Sequence, residues 1–201
     1  MGLAVLGASA QAESLIFKEN GPLGQIDAKL NGSSVNNLQA GWLKFGIGSI
    51  NATDYLLCTE ITQGIAPKGV WKEYDTTIKN GSLGWLLNEY QQLTSGGGAI
   101  NAAKAAGLQI AVWEVAYEGD GGNYDLSKGK FKIVDGDNTL GNQAIWYAKS
   151  YLGDLGSNTA DYVYYKNDKY QDMVGAVPEP GTMAALGLGA LLLRRRKKKN
   201  A

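Results

Sequence analysis

The chain has 201 residues, 44% apolar and 19% charged, which is enough for one globular domain with a sizeable core. Formal charge is zero, but six of the cations form a run at 194–199; residues 1–193 carry 13 Lys and Arg against 19 Asp and Glu, a net of −6. That mildly acidic body gives no reason to expect nucleic-acid binding. Histidine is absent, which excludes Ser-His-Asp and Cys-His catalysis and His-ligated zinc, and one cysteine excludes an internal disulfide or a thiolate metal cluster.

The first residues read as a processing segment. Leu3 to Ala8 is a short apolar run, and Ala10-Gln11-Ala12 has the small-x-small form of a signal-peptidase site. No positive charge precedes the run, so the expected signal peptide, 1–12, reads as truncated. An odd cysteine in an exported protein is either reactive or paired between chains.

From Glu13 the pattern is strand-like. Ser14–Lys18 and Gly24–Leu30 alternate approximately, separated by Asn20-Gly21-Pro22 and closed by Asn31-Gly32. Leu38–Ile47 follows as one apolar segment with Trp42 and Phe45 as core anchors. Asp54–Ile61 is then expected as a strand, with Leu56, Cys58 and Glu60 on one face. Val70–Tyr74 is a further strand candidate.

Composition then shifts towards helix. Leu83, Leu86, Leu87 and Tyr90 recur at helical spacing over 83–93, and Asn101 is placed to cap a helix running to about Tyr117. On that second helix Ala105, Gln109 and Trp113 share a face by i, i+4 spacing. Gln109 is the anomaly, a primary amide in an otherwise apolar stretch. Burying it costs a few kcal/mol unless its donors and acceptors find partners. Further on, Lys130–Val134 reads as a strand, Asn142–Leu152 as a helix and Tyr162–Tyr165 as a last strand. Glu118–Asp125 and Asp135–Asn138 read as solvated turns, since their spacing matches no EF-hand. Gln143-Ala144-Ile145-Trp146 partly echoes the Gln109 stretch without the spacer residue before Ala.

The segment Gln109-Ile110-Ala111-Val112-Trp113-Glu114, with Tyr55-Leu56-Leu57-Cys58 upstream, resembles the Cys-Gln thioester domains of bacterial surface adhesins. The resemblance spans about 50–152. It implies an internal thioester between the Cys58 sulfur and the Gln109 side-chain carbonyl, which a target nucleophile opens to form a covalent attachment. It also implies one compact α+β domain over 13–173, β-rich in its N-terminal half and helical in its C-terminal part. The partner would be a surface amine or hydroxyl of a protein or polysaccharide, with no cofactor, no metal and no turnover. Trp113 would limit water access, and Glu60 would accept or orient a proton.

The end of the chain, 174–201, holds Pro178-Glu179-Pro180, the 13 apolar or small residues of 181–193 and the basic run. These three parts in this order look like a PEP-CTERM sorting signal, the substrate of an exosortase-type enzyme. The basic run would stay cytoplasmic and stall export, so residues 181–199 would meet the membrane only transiently. Thirteen residues fall short of the roughly 20 that span a bilayer. The expected location is the cell surface or extracellular matrix of a Gram-negative-type bacterium. Two other functions compete: a non-covalent polysaccharide or biofilm-matrix binding protein with exposed Tyr and Trp, and a hydrolase drawing on Glu118 and Asp120.

Overall fold

A computed structural model describes residues 11–21, 23–48, 53–90 and 99–177. Nine strands and three helices follow in chain order: β1 (Gln11–Asn20), β2 (Gly24–Leu30), β3 (Ser33–Ala40), β4 (Leu43–Ile47), β5 (Thr53–Cys58), β6 (Trp71–Gly81), α1 (Ser82–Tyr90), α2 (Ala99–Glu118), β7 (Phe131–Gly136), α3 (Thr139–Leu155), β8 (Ala160–Lys166) and β9 (Met173–Ala176). Six strands close into a barrel in the order β1-β4-β5-β9-β8-β6, and β3-β2-β7 form a separate sheet.

The expected division into a β-rich first half and a helical C-terminal part is therefore corrected. Strand makes up 41% of the described residues against 30% helix, so the described part is mostly β. Three strands follow α2, and two of them, β8 and β9, complete the barrel by bridging β6 to β5. Closure leaves the barrel without a free edge, and the strands that follow the helices are what completes it.

Sequence and structure agree most closely where turn chemistry is explicit. Asn31 (φ 51°) and Gly32 (φ 85°) occupy the left-handed region between β2 and β3, the two-residue turn that Asn-Gly favours. Leu38–Ile47 is not one strand. It breaks at Gly41-Trp42, leaving Leu38 in β3 of the small sheet and Phe45 in β4 of the barrel. Phe45 is fully buried, whereas Trp42 is half-buried with its ring edge-on to Tyr55.

The helices also differ at their ends. Asn101 lies inside α2, which begins at Ala99. The cap of α3 is Asn138, whose side chain accepts from Gly141 N at 2.6 Å. At the start, Gln11 and Ala12 already pair with Thr76 and Asp75 of β6, so a cut after Ala12 falls inside β1. At the other end β9 runs to Ala176, and the expected boundary at 173 falls within that barrel strand.

Helix α2 is the hub. Its alanines and aliphatic residues from Ala102 to Val115 are buried on nearly every side, as expected of a helix enclosed by other elements. It packs on α3, α1, β5 and the small sheet. Gly107 allows the approach to α3, since a Cβ there would lie 2.6 Å from Tyr147 Cβ and 2.8 Å from Ala144 O.

Candidate functional site

The site is built where the end of β5 meets the middle of α2. Thr59 N–H donates to Asp172 O at 2.9 Å, continuing the β5–β9 ladder. In an antiparallel pair alternate residues turn their polar groups to opposite sides, so Cys58 directs its N–H and C=O away from β9. On that side β4 pairs with β5 only as far as Leu56. Cys58 would thus bury an unpaired donor and acceptor. Gln109 fills both vacancies. Its Oε1 accepts from Cys58 N at 3.0 Å and its Nε2 donates to Cys58 O at 2.7 Å.

That clamp brings the Cys58 thiol to 3.4 Å from Gln109 Oε1. Both residues are out of solvent, Gln109 at 0% and Cys58 at 5% exposure. Burial pushes the thiol up to about 12, opposed by the neighbouring backbone N–H and by the Trp113 indole. Trp113 is 1% exposed, with its indole beside the Cys58 sulfur. Among the described residues its Nε1 has no partner at ordinary hydrogen-bond geometry, yet its N–H dipole acts on the sulfur in the direction of a lower pKa.

One turn further along the same stripe, Tyr117 OH accepts from Ile61 N at 2.8 Å and ties down the segment that follows Cys58. Gln109, Trp113 and Tyr117 are three rungs at i, i+4 spacing that hold the end of β5. The same i, i+4 spacing that pairs Gln109 with Trp113 extends to Tyr117.

Glu60 does not share a strand face with Cys58, because β5 ends at Cys58. It lies on the following segment, where burial and then the Asp172 charge raise its pKa. Its Oε1 is shielded from solvent and unpartnered among the described residues. Asp172, Tyr164 and Lys79, which share a cleft with it, come from three separate segments, and no local pattern announced them. Gln143 sits on the exposed side of α3.

Glu114, the last residue of the Gln109 segment, is fully buried and accepts from Asp125 N at 2.8 Å, pinning the loop after α2. Burial raises it from 4.5 to about 7, with smaller contributions from the Glu118 and Asp125 charges. A carboxyl with a raised folded pKa favours the protonated folded state. Its contribution is complete below 4.5 and is lost as pH climbs from 4.5 to about 7. Glu114→Gln should abolish that slope and exceed the wild type at pH 8 by on the order of 2 kcal/mol, measured by urea titration at several pH values.

The carboxylates considered for hydrolysis are tied into loops. Asp120 Oδ1 accepts from Ser82 N at 2.8 Å at the start of α1, and Glu118 accepts from the Lys130 and Phe131 amides. Among the described residues no group of three His, Cys, Asp or Glu side chains could hold a metal ion.

Ala176, the last residue of β9, is also where a comparison with protein families begins to match. Residues 176–198 match the PEP-CTERM protein-sorting motif. No curated protein and no solved structure matches the chain. Pro178, Glu179 and Pro180 belong to the motif and lie outside the described residues. The PEP-CTERM motif suggests an exported protein of a Gram-negative bacterium, with an exosortase as its processing partner. Among the described residues no helix is long and apolar enough to cross a membrane.

Proposed function

We propose that the barrel carries an internal Cys58–Gln109 thioester and, once exported, uses it to attach covalently to a nucleophile on a partner. One observation carries this reading: the protein's single thiol meets a fully buried carboxamide at 3.4 Å, inside a clamp that fixes both groups. The sulfur adds to the Gln109 carbonyl carbon, and the thiol proton passes to the nitrogen, which leaves as ammonia. Negative charge then develops on Oε1, the atom that Cys58 N–H already addresses. Because burial disfavours a free thiolate, addition and proton transfer are coupled.

A partner amine or hydroxyl later attacks the same carbon. Its C–N or C–O bond replaces the C–S bond, and Cys58 is released as a thiol. Each molecule makes one bond, so the protein is a reagent and not a turnover enzyme. Trp113 keeps water from hydrolysing the acyl group. The PEP-CTERM motif supports export to the cell surface, and attachment there or in the extracellular matrix would serve adhesion and biofilm cohesion.

Intact-mass measurement tests the reading. The exported protein should weigh one ammonia less than its sequence, methylamine should add its full mass, and iodoacetamide should label Cys58 only afterwards. A full-length mass with no ammonia deficit contradicts it.

A second reading also has an observation behind it. The Gln109 amide already hydrogen-bonds the Cys58 backbone through both its oxygen and its nitrogen, which accounts for its burial without a covalent bond. The protein would then bind matrix polysaccharide non-covalently through exposed Trp71 and Trp146.

A further inference from the structure

Beside Cys58 lies a cleft of about 280 Å³ whose polar lining is Thr59, Glu60, Lys79, Tyr162, Tyr164 and Asp172. Thr59 and Asp172 are one residue from Cys58 and from its ladder neighbour Met173. The cleft also reaches Ala116, on the turn of α2 between Trp113 and Tyr117. It therefore borders the pair through Thr59 next to Cys58 and through Ala116 of α2, while Cys58 and Gln109 themselves lie behind its wall.

Its chemistry is that of a site for a primary ammonium. Asp172 is 9% exposed; its Oδ2 accepts from Tyr164 OH at 2.5 Å and its Oδ1 from Asn167 N at 2.8 Å. Glu60 Oε1 has no donor among the described residues. One ammonium is already there: Lys79 Nζ stands 3.5 Å from the Tyr164 ring centroid. The cation arrives on an exposed side chain from β6 and rests on the ring, while the two carboxylates line the same cleft without an ion pair to it.

We propose that this cleft is the port by which a partner's primary ammonium reaches the Gln109 acyl group, with Lys79 as the resident occupant it displaces and Glu60 as the base that frees the amine. The inference rests on the thioester reading. Glu60 takes one proton from the incoming ammonium, leaving a neutral amine. The amine nitrogen bonds to the Gln109 carbonyl carbon, the C–S bond breaks, and the second proton goes to the departing Cys58 sulfur. The products are an amide, a thiol and one proton that Glu60 returns to solvent. A hydroxyl gains neither the ring contact nor the opposite charges, so the port selects amines.

The groups around Glu60 are Asp172 ahead of β9, Tyr162 and Tyr164 of β8, Lys79 of β6, Tyr117 of α2 and Cys58 of β5. Glu60 must be ionised to act, and burial with the Asp172 charge moves that ionisation upward. Capture should therefore rise with pH through the Glu60 titration.

The test follows capture of methylamine by intact mass, in protein that shows the ammonia deficit, with glycerol as the hydroxyl probe. Lys79→Met should lower the methylamine concentration for half-maximal rate about fivefold, the worth of one cation–ring contact, and leave glycerol capture unchanged. Glu60→Gln should lower the maximal rate on the order of a hundredfold and remove the rising limb of the pH profile. Wild-type half-saturation in Lys79→Met together with a wild-type profile in Glu60→Gln, the deficit being intact, overturns the port and leaves the thioester standing. Lack of the deficit in the wild-type protein overturns both.

Discussion

Opening the ring with methylamine should lower the stability of the wild-type protein by about 4 kcal/mol and leave Cys58→Ala unaffected. Cys58 and Gln109 are 51 residues apart, so a bond between them closes a long loop in the unfolded chain. By the loop-closure argument used for disulfides, a cross-link of that span is worth about 4 kcal/mol. Without the bond, the two positions should behave very differently. Cys58→Ala would remove a small sulfur from a packed core, at about 1 kcal/mol. Gln109→Ala would strand the Cys58 N–H and C=O in the interior, at about 1–3 kcal/mol each, and leave a cavity as well. A loss of about 4 kcal/mol or more in both variants, Cys58→Ala included, marks a covalent link. A loss confined to Gln109→Ala marks a carboxamide that only satisfies the backbone. Urea denaturation of the three proteins, with and without methylamine, separates the cases.

What could be read from the chain in advance was local. The stripe Ala105, Gln109, Trp113 follows from helical spacing, and a lone amide in an apolar helix had to find a partner. The Asn31-Gly32 turn and the burial of Phe45 were likewise legible, since each depends on a few adjacent residues. Barrel closure was not. Met173-Val174-Gly175-Ala176 has neither alternation nor β-branched enrichment, and it is a strand because β5 and β8 flank it on both sides.

The same limit explains the misplaced strand ends. Leu38–Ile47 keeps an apolar rhythm through a turn that sends its two ends to different sheets. A period-2 pattern carried two residues past the end of β5 gives Glu60 a strand face, but β5 stops at Cys58. Glu60 lies in the cleft near Cys58 by another route, through contacts made by segments more than a hundred residues away. The link between Gln171 Nε2 and Glu60 O, at 3.1 Å, is one such contact. Tertiary pairing of this kind leaves no trace in a window of ten residues.

Gly107→Ala should destabilise the protein by about 1–2 kcal/mol, against the usual preference of helices for alanine, because overpacking outweighs propensity at this point. In an exposed helix interior the change gains about 1 kcal/mol. At Gly107 the new Cβ meets Tyr147 Cβ at 2.6 Å, Ala144 O at 2.8 Å and Ala148 N at 3.1 Å. Two of these are backbone atoms and the third is fixed to one, so no flexible side chain can swing aside. Helices α2 and α3 must separate, at about 1–3 kcal/mol for such an insertion. Gln109 lies two residues on and faces nearly the opposite way, so a shift of α2 off α3 moves the carboxamide relative to Cys58. Reacting groups tolerate only about 0.5 Å of displacement, and the fraction of chains showing the ammonia deficit should fall with the stability. Gly153→Ala supplies the control. That glycine sits in α3 with nothing within 4 Å of an added Cβ. It should stabilise by up to about 1 kcal/mol and leave the deficit unchanged. Opposite signs for the two alanines, read by thermal denaturation and intact mass together, would tie the α2–α3 contact to the geometry at Cys58. A stabilising Gly107→Ala with an unaltered deficit would show that α2 has slack the close approach does not suggest.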